Sequence, residues 1–270
     1  MNYQTYQPHR DLQSLVKCYW TLDVSAEEGA QRQRIIPDGC LEMAFILGED
    51  IKRYTSEDEF IIQPRTMVLG QITEPFFIQP TGYVKSFAVR FYPYGFANFV
   101  STPIKDLANK ETPLNLLFGE ETAKELGQKI TNAKDTKARI RIVENFLFKR
   151  LSDQEFIDDI VKTTIDTMFL TKGNISIKSA LKDVSKRRQL ERNFTKQIGI
   201  SPKQLGKVIR LQTALKMMLN QQTGNLSEIA YVSDYYDQAH FTKDFKKLTG
   251  TTPKEFYEDE EMALSSLIYK

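Results

Sequence analysis

Cysteine is nearly absent from this chain. Cys18 and Cys40 stand alone, with no CxxC spacing and no neighbouring histidine cluster, which excludes a disulfide framework and a structural zinc site. Histidine is as scarce: His9 and His240 are the only two, too few for the ligand set of a metal-dependent β-barrel enzyme. No metal and no cofactor is expected. No Ser/His/Asp set, phosphate-cradling glycine loop or pair of carboxylates offers catalysis, so the chain reads as a non-enzyme. Long apolar runs are missing too, and nothing approaches the roughly 20 residues of a membrane span. The start, MNYQTYQPHRDLQ, lacks the basic residues and apolar stretch of a signal peptide. A cytoplasmic protein with no membrane partner is expected.

What is present is an ordinary soluble composition, 41% hydrophobic and 27% charged over 270 residues, enough for one large domain or two ordinary ones. The formal net charge of +2 hides an asymmetry: residues 1–169 sum to −4 and residues 170–259 to +7. A basic region beside a mildly acidic one suits a polyanionic partner, although charge alone supports only non-specific attraction.

Up to about residue 100 the texture is β. Ser14–Val24, Ile35–Leu47, Phe60–Leu69 and Val84–Phe91 are rich in Val, Ile, Phe and Tyr, and Pro-Asp-Gly and Pro-Thr-Gly turns punctuate them. In the last of these segments, Val84, Phe87, Val89 and Phe91 point to one buried face and leave Lys85 and Arg90 on the other. Between about 101 and 152 the pattern becomes helical, with spans at Glu120–Ile130 and Thr136–Leu151. These helices read either as a scaffold or as a dimerisation pair. From Asp153 onward everything reads as helix. Spans fall at Phe156–Thr171, from Ser176 or Ile177 to about Lys182, and at about Lys186–Ile198, with a long helix from Ser201-Pro202. Further helices are expected at Leu226–Tyr231 and Gln238–Thr249. The fold class is therefore α+β in two domains: a β-barrel or sandwich with a helical linker, then an all-α domain. The expected boundaries are 1–118, 119–155, 156–259 and a tail at 260–270.

A pattern also occurs twice in the helical half, 51 positions apart. Gly173-Asn174-Ile175-Ser176 returns as Gly224-Asn225-Leu226-Ser227, Leu190 and Phe194 as Phe241 and Phe245, and Gly199 and Pro202 as Gly250 and Pro253. Two copies are too few for a stacked solenoid. Each copy has instead the length and pattern of a helix-turn-helix, whose second helix fits a major groove about 12 Å wide. The first such helix offers Lys186, Arg187, Arg188, Gln189, Arg192 and Lys196; the second offers Gln238, His240, Thr242 and Lys243. Arg pairs with guanine, Gln with adenine and Lys with phosphate. The connecting helix from Pro202 to Asn220 would span roughly 28 Å, near the pitch of about 34 Å between successive groove faces. Arg210 on it is expected to stabilise the module by pairing with a carboxylate.

Ile229-Ala230, Tyr235-Tyr236-Asp237-Gln238-Ala239-His240-Phe241, Phe245-Lys246, Gly250 and Pro253 closely resemble the signature of AraC/XylS-type transcriptional regulators. Leu190-Glu191-Arg192-Asn193-Phe194, Gly199, Ser201-Pro202 and Arg210-Leu211-Gln212-Thr213-Ala214 resemble its first half. The resemblance covers about residues 157–258. It implies a DNA-binding domain with two helix-turn-helix motifs entering adjacent major-groove segments. In the second turn Asp234 stands where the family usually has glycine. The first turn has no glycine, so Ser185 either caps its recognition helix or lies just before the cap.

Ile36-Pro37-Asp38-Gly39, with Val89-Arg90-Phe91-Tyr92-Pro93-Tyr94-Gly95, resembles the cupin-like sensor domain of one AraC-type subgroup. It implies an effector pocket, for which Trp20, Glu42, Arg90 and Tyr92, with Tyr19, are the aromatic and polar candidates; ordinary core packing is the alternative for each. Cys18 and Cys40 read as small core residues rather than a redox pair. The function expected is that of a sequence-specific transcriptional regulator. Its partners would be double-stranded DNA, a small-molecule effector, a second copy of the chain and RNA polymerase. The competing reading is a small-molecule-binding protein whose helices form only an interaction module.

Overall fold

The computed structural model describes residues 1–29, 31–151, 157–174, 184–220 and 225–269. Ten strands come first: β1 (Asn2–Tyr6), β2 (Val16–Val24), β3 (Gln33–Ile35), β4 (Leu41–Ile46), β5 (Ile51–Tyr54), β6 (Phe60–Ile62), β7 (Thr66–Leu69), β8 (Phe76–Pro80), β9 (Val84–Phe91) and β10 (Glu111–Pro113). They form two antiparallel sheets, one of six strands in the order β1-β2-β9-β4-β7-β10 and one of four in the order β3-β8-β5-β6. One short helix, α1 (Ala26–Gly29), lies among them, and α2 (Leu114–Phe118), α3 (Glu120–Thr131) and α4 (Thr136–Phe148) follow.

Side-chain alternation explains why the six-stranded sheet is buried on both faces. Tyr19, Leu41, Met43, Phe45, Phe87, Val89 and Phe91 share a core with Leu126, Ile130, Val143 and Leu147 of α3 and α4. Trp20, Leu22, Ala44, Ile46, Val84 and Ala88, of the opposite parity, pack towards Ile35 and Ile78 of the four-stranded sheet. A one-residue slip would exchange these two sets, so the register is strongly specified. The second face of β9 is thus not the solvent face expected for Lys85 and Arg90: Arg90 is only 5% exposed, and Lys85 has the parity of Phe87.

Two expected long strands are each broken in two. Ile35–Leu47 is interrupted between β3 and β4 by the turn at Pro37-Asp38-Gly39, where Gly39 has φ +78°, a conformation open mainly to glycine. Phe60–Leu69 is interrupted at Gln63-Pro64, where proline has no N–H to donate.

The C-terminal half holds α5 (Asp159–Leu170), α6 (Val184–Ile198), α7 (Pro202–Leu219), α8 (Leu226–Val232), α9 (Gln238–Thr249) and α10 (Ala263–Tyr269). The short helix expected at 176–182 lies outside the described residues. Gly199 after α6 and Gly250 after α9 take φ +92° and +81°, the left-handed stop that ends a helix. Ser201 opens α7 with a capping box to Gln204. Among the described residues no helix is long and apolar enough to cross a membrane.

Candidate DNA-reading face and internal cavity

Helix α6 divides by exposure along its length. Leu190, Phe194 and Ile198 are buried with Val161, Ile165 and Met168 of α5 and Leu205 and Ile209 of α7, which fixes the helix on its apolar stripe. Lys186, Arg188, Gln189, Arg192 and Lys196 are exposed and Arg187 is half-buried. Helix α9 repeats the division. Phe241, Phe245 and Leu248 join a second core with Leu211, Leu215 and Met218 of α7 and Ile229 of α8. Gln238, His240 and Lys243 are exposed, with Thr242 half-buried.

Local chemistry sets the start of α9. Asp237 caps it by accepting from His240 N–H at 2.7 Å, and Asp234 in the preceding turn takes φ +61°. Gln238 Oε1 accepts from Ser227 Oγ at 2.9 Å, which ties the first turn of α9 to α8. The His240 ring stands edge-on to Tyr235 with centroids 5.4 Å apart, and its Nε2 lies 3.5 Å from Asp244 Oδ2. Asp244 is buried and also pairs with Lys207 of α7 at 2.7 Å. Among the described residues Arg210 does not find the carboxylate expected for it. Its Nη1 donates to Gly173 O at 3.2 Å and its guanidinium lies over the Tyr235 ring at 5.4 Å, so it links α5 to the second motif through a carbonyl and a ring.

The turn between β3 and β4 joins the two halves. Ile36, 1% exposed, belongs to the core around α7, α8 and α9 rather than to the sheets that flank it. Pro37 O accepts from Gln212 Nε2 at 2.8 Å. A Cβ on Gly39 would stand 3.1 Å from Leu205 Cδ1, a tight contact that adds to the strain its φ would place on any other residue. Arg34 reaches across to Asp259 and Glu261, each at 2.7 Å, and to Thr249 O at the end of α9, at 3.3 Å. Residues 260–270, expected as a tail, include helix α10, which is docked on β3: Leu264 N–H donates to Gln33 Oε1 at 2.9 Å, and Ser265 Oγ to Arg34 O at 2.6 Å.

Between the two sheets lies a cavity of about 130 Å³. Its wall is mostly apolar, with Leu22, Ile46, Ile51, Met67 and Ile78 among the lining residues, and Leu264 and Ile268 of α10 complete it. The polar wall follows from register, because Glu42 pairs directly with Arg90 across β4 and β9. Arg90 Nε and Nη2 both reach Glu42 Oε1, at 2.6 and 2.5 Å. Trp20 Nε1 donates to the same oxygen at 3.1 Å, and Asp38 Oδ2 lies 3.6 Å from Arg90 Nε. Burial raises the proton affinity of Glu42 above the usual carboxylate range, against the pull of Arg90. Burial also pushes the Cys40 thiol up to about 12 and raises that of Cys18, which makes both poor thiolates at neutral pH.

Three of the residues expected around an effector, Trp20, Glu42 and Arg90, therefore stand together on one wall. Tyr92 does not join them, since β9 ends at Phe91 and Tyr92 stacks on Tyr94 with centroids 6.2 Å apart. Tyr19 faces the opposite core, where its hydroxyl donates to Glu144 Oε1 at 3.2 Å. Asp38, Ile36, Leu264 and Ile268 also line the cavity and are not among the pocket residues expected from the sequence. Asp38 alone had a signal, its place two residues after Ile36 in a turn leading into an alternating strand.

Residues 4–113 match the profile of the family described as a domain of unknown function, DUF6597. Residues 185–259 match the profile described as a helix-turn-helix domain. No curated protein matches the chain significantly. Among solved structures it is similar to several of ToxT from Vibrio cholerae. One has 11% identity and a TM-score of 0.47, covering 95% of this chain and 98% of that one. Another, bound to (E)-4-(8-methylnaphthalen-1-yl)but-3-enoic acid, has 12% identity and a TM-score of 0.48 over the same shares. A third, with bound unsaturated fatty acid, has 14% identity and a TM-score of 0.45, covering 87% and 92%.

Proposed function

We propose that the protein is a sequence-specific transcriptional regulator that reads duplex DNA with α6 and α9 and carries an effector site in the cavity between its two sheets. The observation that supports this reading best is the repeated division of the two helices. Each buries an apolar stripe in its own core and leaves Lys, Arg, Gln or His exposed, and one 18-residue helix, α7, joins them. At about 1.5 Å per residue that helix spans roughly 27 Å, of the order of one turn of duplex. The arginines and Gln189 of α6, with Gln238 and His240 of α9, are the base-reading set; the lysines supply phosphate contact.

Selection from a random duplex library with the full chain, followed by affinity measurement on the enriched and a shuffled duplex over a salt series, tests this. Binding to the enriched duplex is expected to weaken steeply with salt, because several Lys and Arg displace condensed counterions. A flat salt response, or no preference over the shuffled duplex, overturns the reading.

A further inference from the structure

The charges on the cavity wall do not balance. Its lining contains three carboxylates, Glu28, Asp38 and Glu42, against Arg90 and the amino group of Met1. The Met1 amino group is taken by Glu28 at 2.7 Å. Asp38 and Glu42 are left to share Arg90, which is buried, while their own side chains are only 12% and 13% exposed. Lys17 is not part of the lining; its Nζ lies 4.0 Å from Cys40 Sγ and its charge also acts on Asp38, so Glu42 is the carboxylate that relies on Arg90 alone. The hydrogen bonds to Glu42 all fall on Oε1, and among the described residues Oε2 accepts none.

We propose that the cavity takes a small apolar amine, with its ammonium group held at Glu42 and its hydrocarbon part lying among Leu22, Ile46, Ile51, Met67 and Ile78. This rests on the reading of the cavity as the effector site and names the class of molecule that fits it. A carboxylate in a largely apolar cavity is driven towards its neutral form unless a cation and hydrogen bonds compensate its charge. An ammonium group supplies both to the oxygen that lacks a donor. A carboxylate ligand would instead bring further negative charge against Asp38 and Glu42, with only an arginine already committed to both. Since about 10–15 Å³ of such space holds one water, the cavity has room for a ligand of roughly ten non-hydrogen atoms.

Hexylamine, hexan-1-ol and hexanoate have equal chain length and differ in the head group. Each is titrated into the full chain, with thermal shift and the fluorescence of Trp20, the single tryptophan, as readouts. Hexylamine is expected to bind at least about tenfold tighter than hexanoate, the worth of one charge-assisted hydrogen bond. Hexylamine should also bind more tightly than hexan-1-ol, Glu42→Gln should remove both advantages, and Ala44→Leu, which fills the cavity without touching a charge, should weaken all three. Hexanoate binding as tightly as hexylamine would overturn the amine class and leave the cavity a ligand site. Failure of all three to bind would overturn the class and the cavity reading together. Hexylamine binding undiminished in Ala44→Leu would place it elsewhere and overturn the proposal. Unliganded melting of each variant reports whether it folds; should Glu42→Gln not fold, the wild-type series and Ala44→Leu still decide.

Discussion

Asp234 occupies a left-handed conformation, φ +61°, that most L-residues adopt only at a cost. It sits in the turn that hands the chain from α8 to α9, so strain there bears directly on the presentation of Gln238 and His240. Asp234→Ala should be less stable than Asp234→Gly by about 1 kcal/mol in urea denaturation, because alanine cannot relieve the Cβ contact that glycine lacks. Equal stabilities would show that the turn relaxes to another conformation. On the reading faces, Arg192→Ala and His240→Ala should each reduce binding to the selected duplex more than binding to shuffled DNA. Equal losses on both would assign them to phosphate positioning. His240 has a second tie, its 3.5 Å approach to buried Asp244, and melting of His240→Ala separates that contribution from DNA contact.

At the scale of the element, caps decide how much of the fold can be read in advance. Helix α9 is legible to the residue, because Asp237 caps its start and Gly250 stops it. Helix α7 is equally plain from Ser201-Pro202. Ser201→Ala removes the side-chain half of its capping box and should cost about 0.5–2 kcal/mol, measured by thermal denaturation; no loss would mean that packing alone holds the helix start. Strands β5 and β8 are not marked by any alternation of side chains. Ile51–Tyr54 carries Lys52 and Arg53, and Phe76–Pro80 is mostly half-buried, so neither shows a clean alternation of apolar and polar. The polar wall of the cavity was legible through Trp20, Glu42 and Arg90, an aromatic and two charges in strands otherwise apolar. Its closure by Leu264 was not, since that depends on contacts such as the one between Leu264 and Gln33, 231 positions apart, for which no local period exists.

Over the whole molecule the two halves are not independent bodies. Ile36 is carried by the sheet region and completes the core of the second helix-turn-helix. Ile36→Ala should therefore destabilise the protein by about 2–5 kcal/mol, the usual range for a fully buried isoleucine, and lower the melting of both halves together. Loss confined to one half, followed by separate near-ultraviolet and far-ultraviolet transitions, would contradict that coupling. Arg34 acts in the same direction, because removal of Asp259 and Glu261 would leave a buried guanidinium without its ionic partners.

The turn that carries Ile36 also holds Asp38 beside Arg90 at the cavity and Gly39 against Leu205 of α7. A graft that fused these helices to a foreign N-terminal domain would leave the core around α7, α8 and α9 without the isoleucine that belongs to it. Hybrids built on these helices should therefore fold only when the loop from Gln33 to Cys40 travels with them, because the seam between the two parts lies inside the sequence of the sheet region.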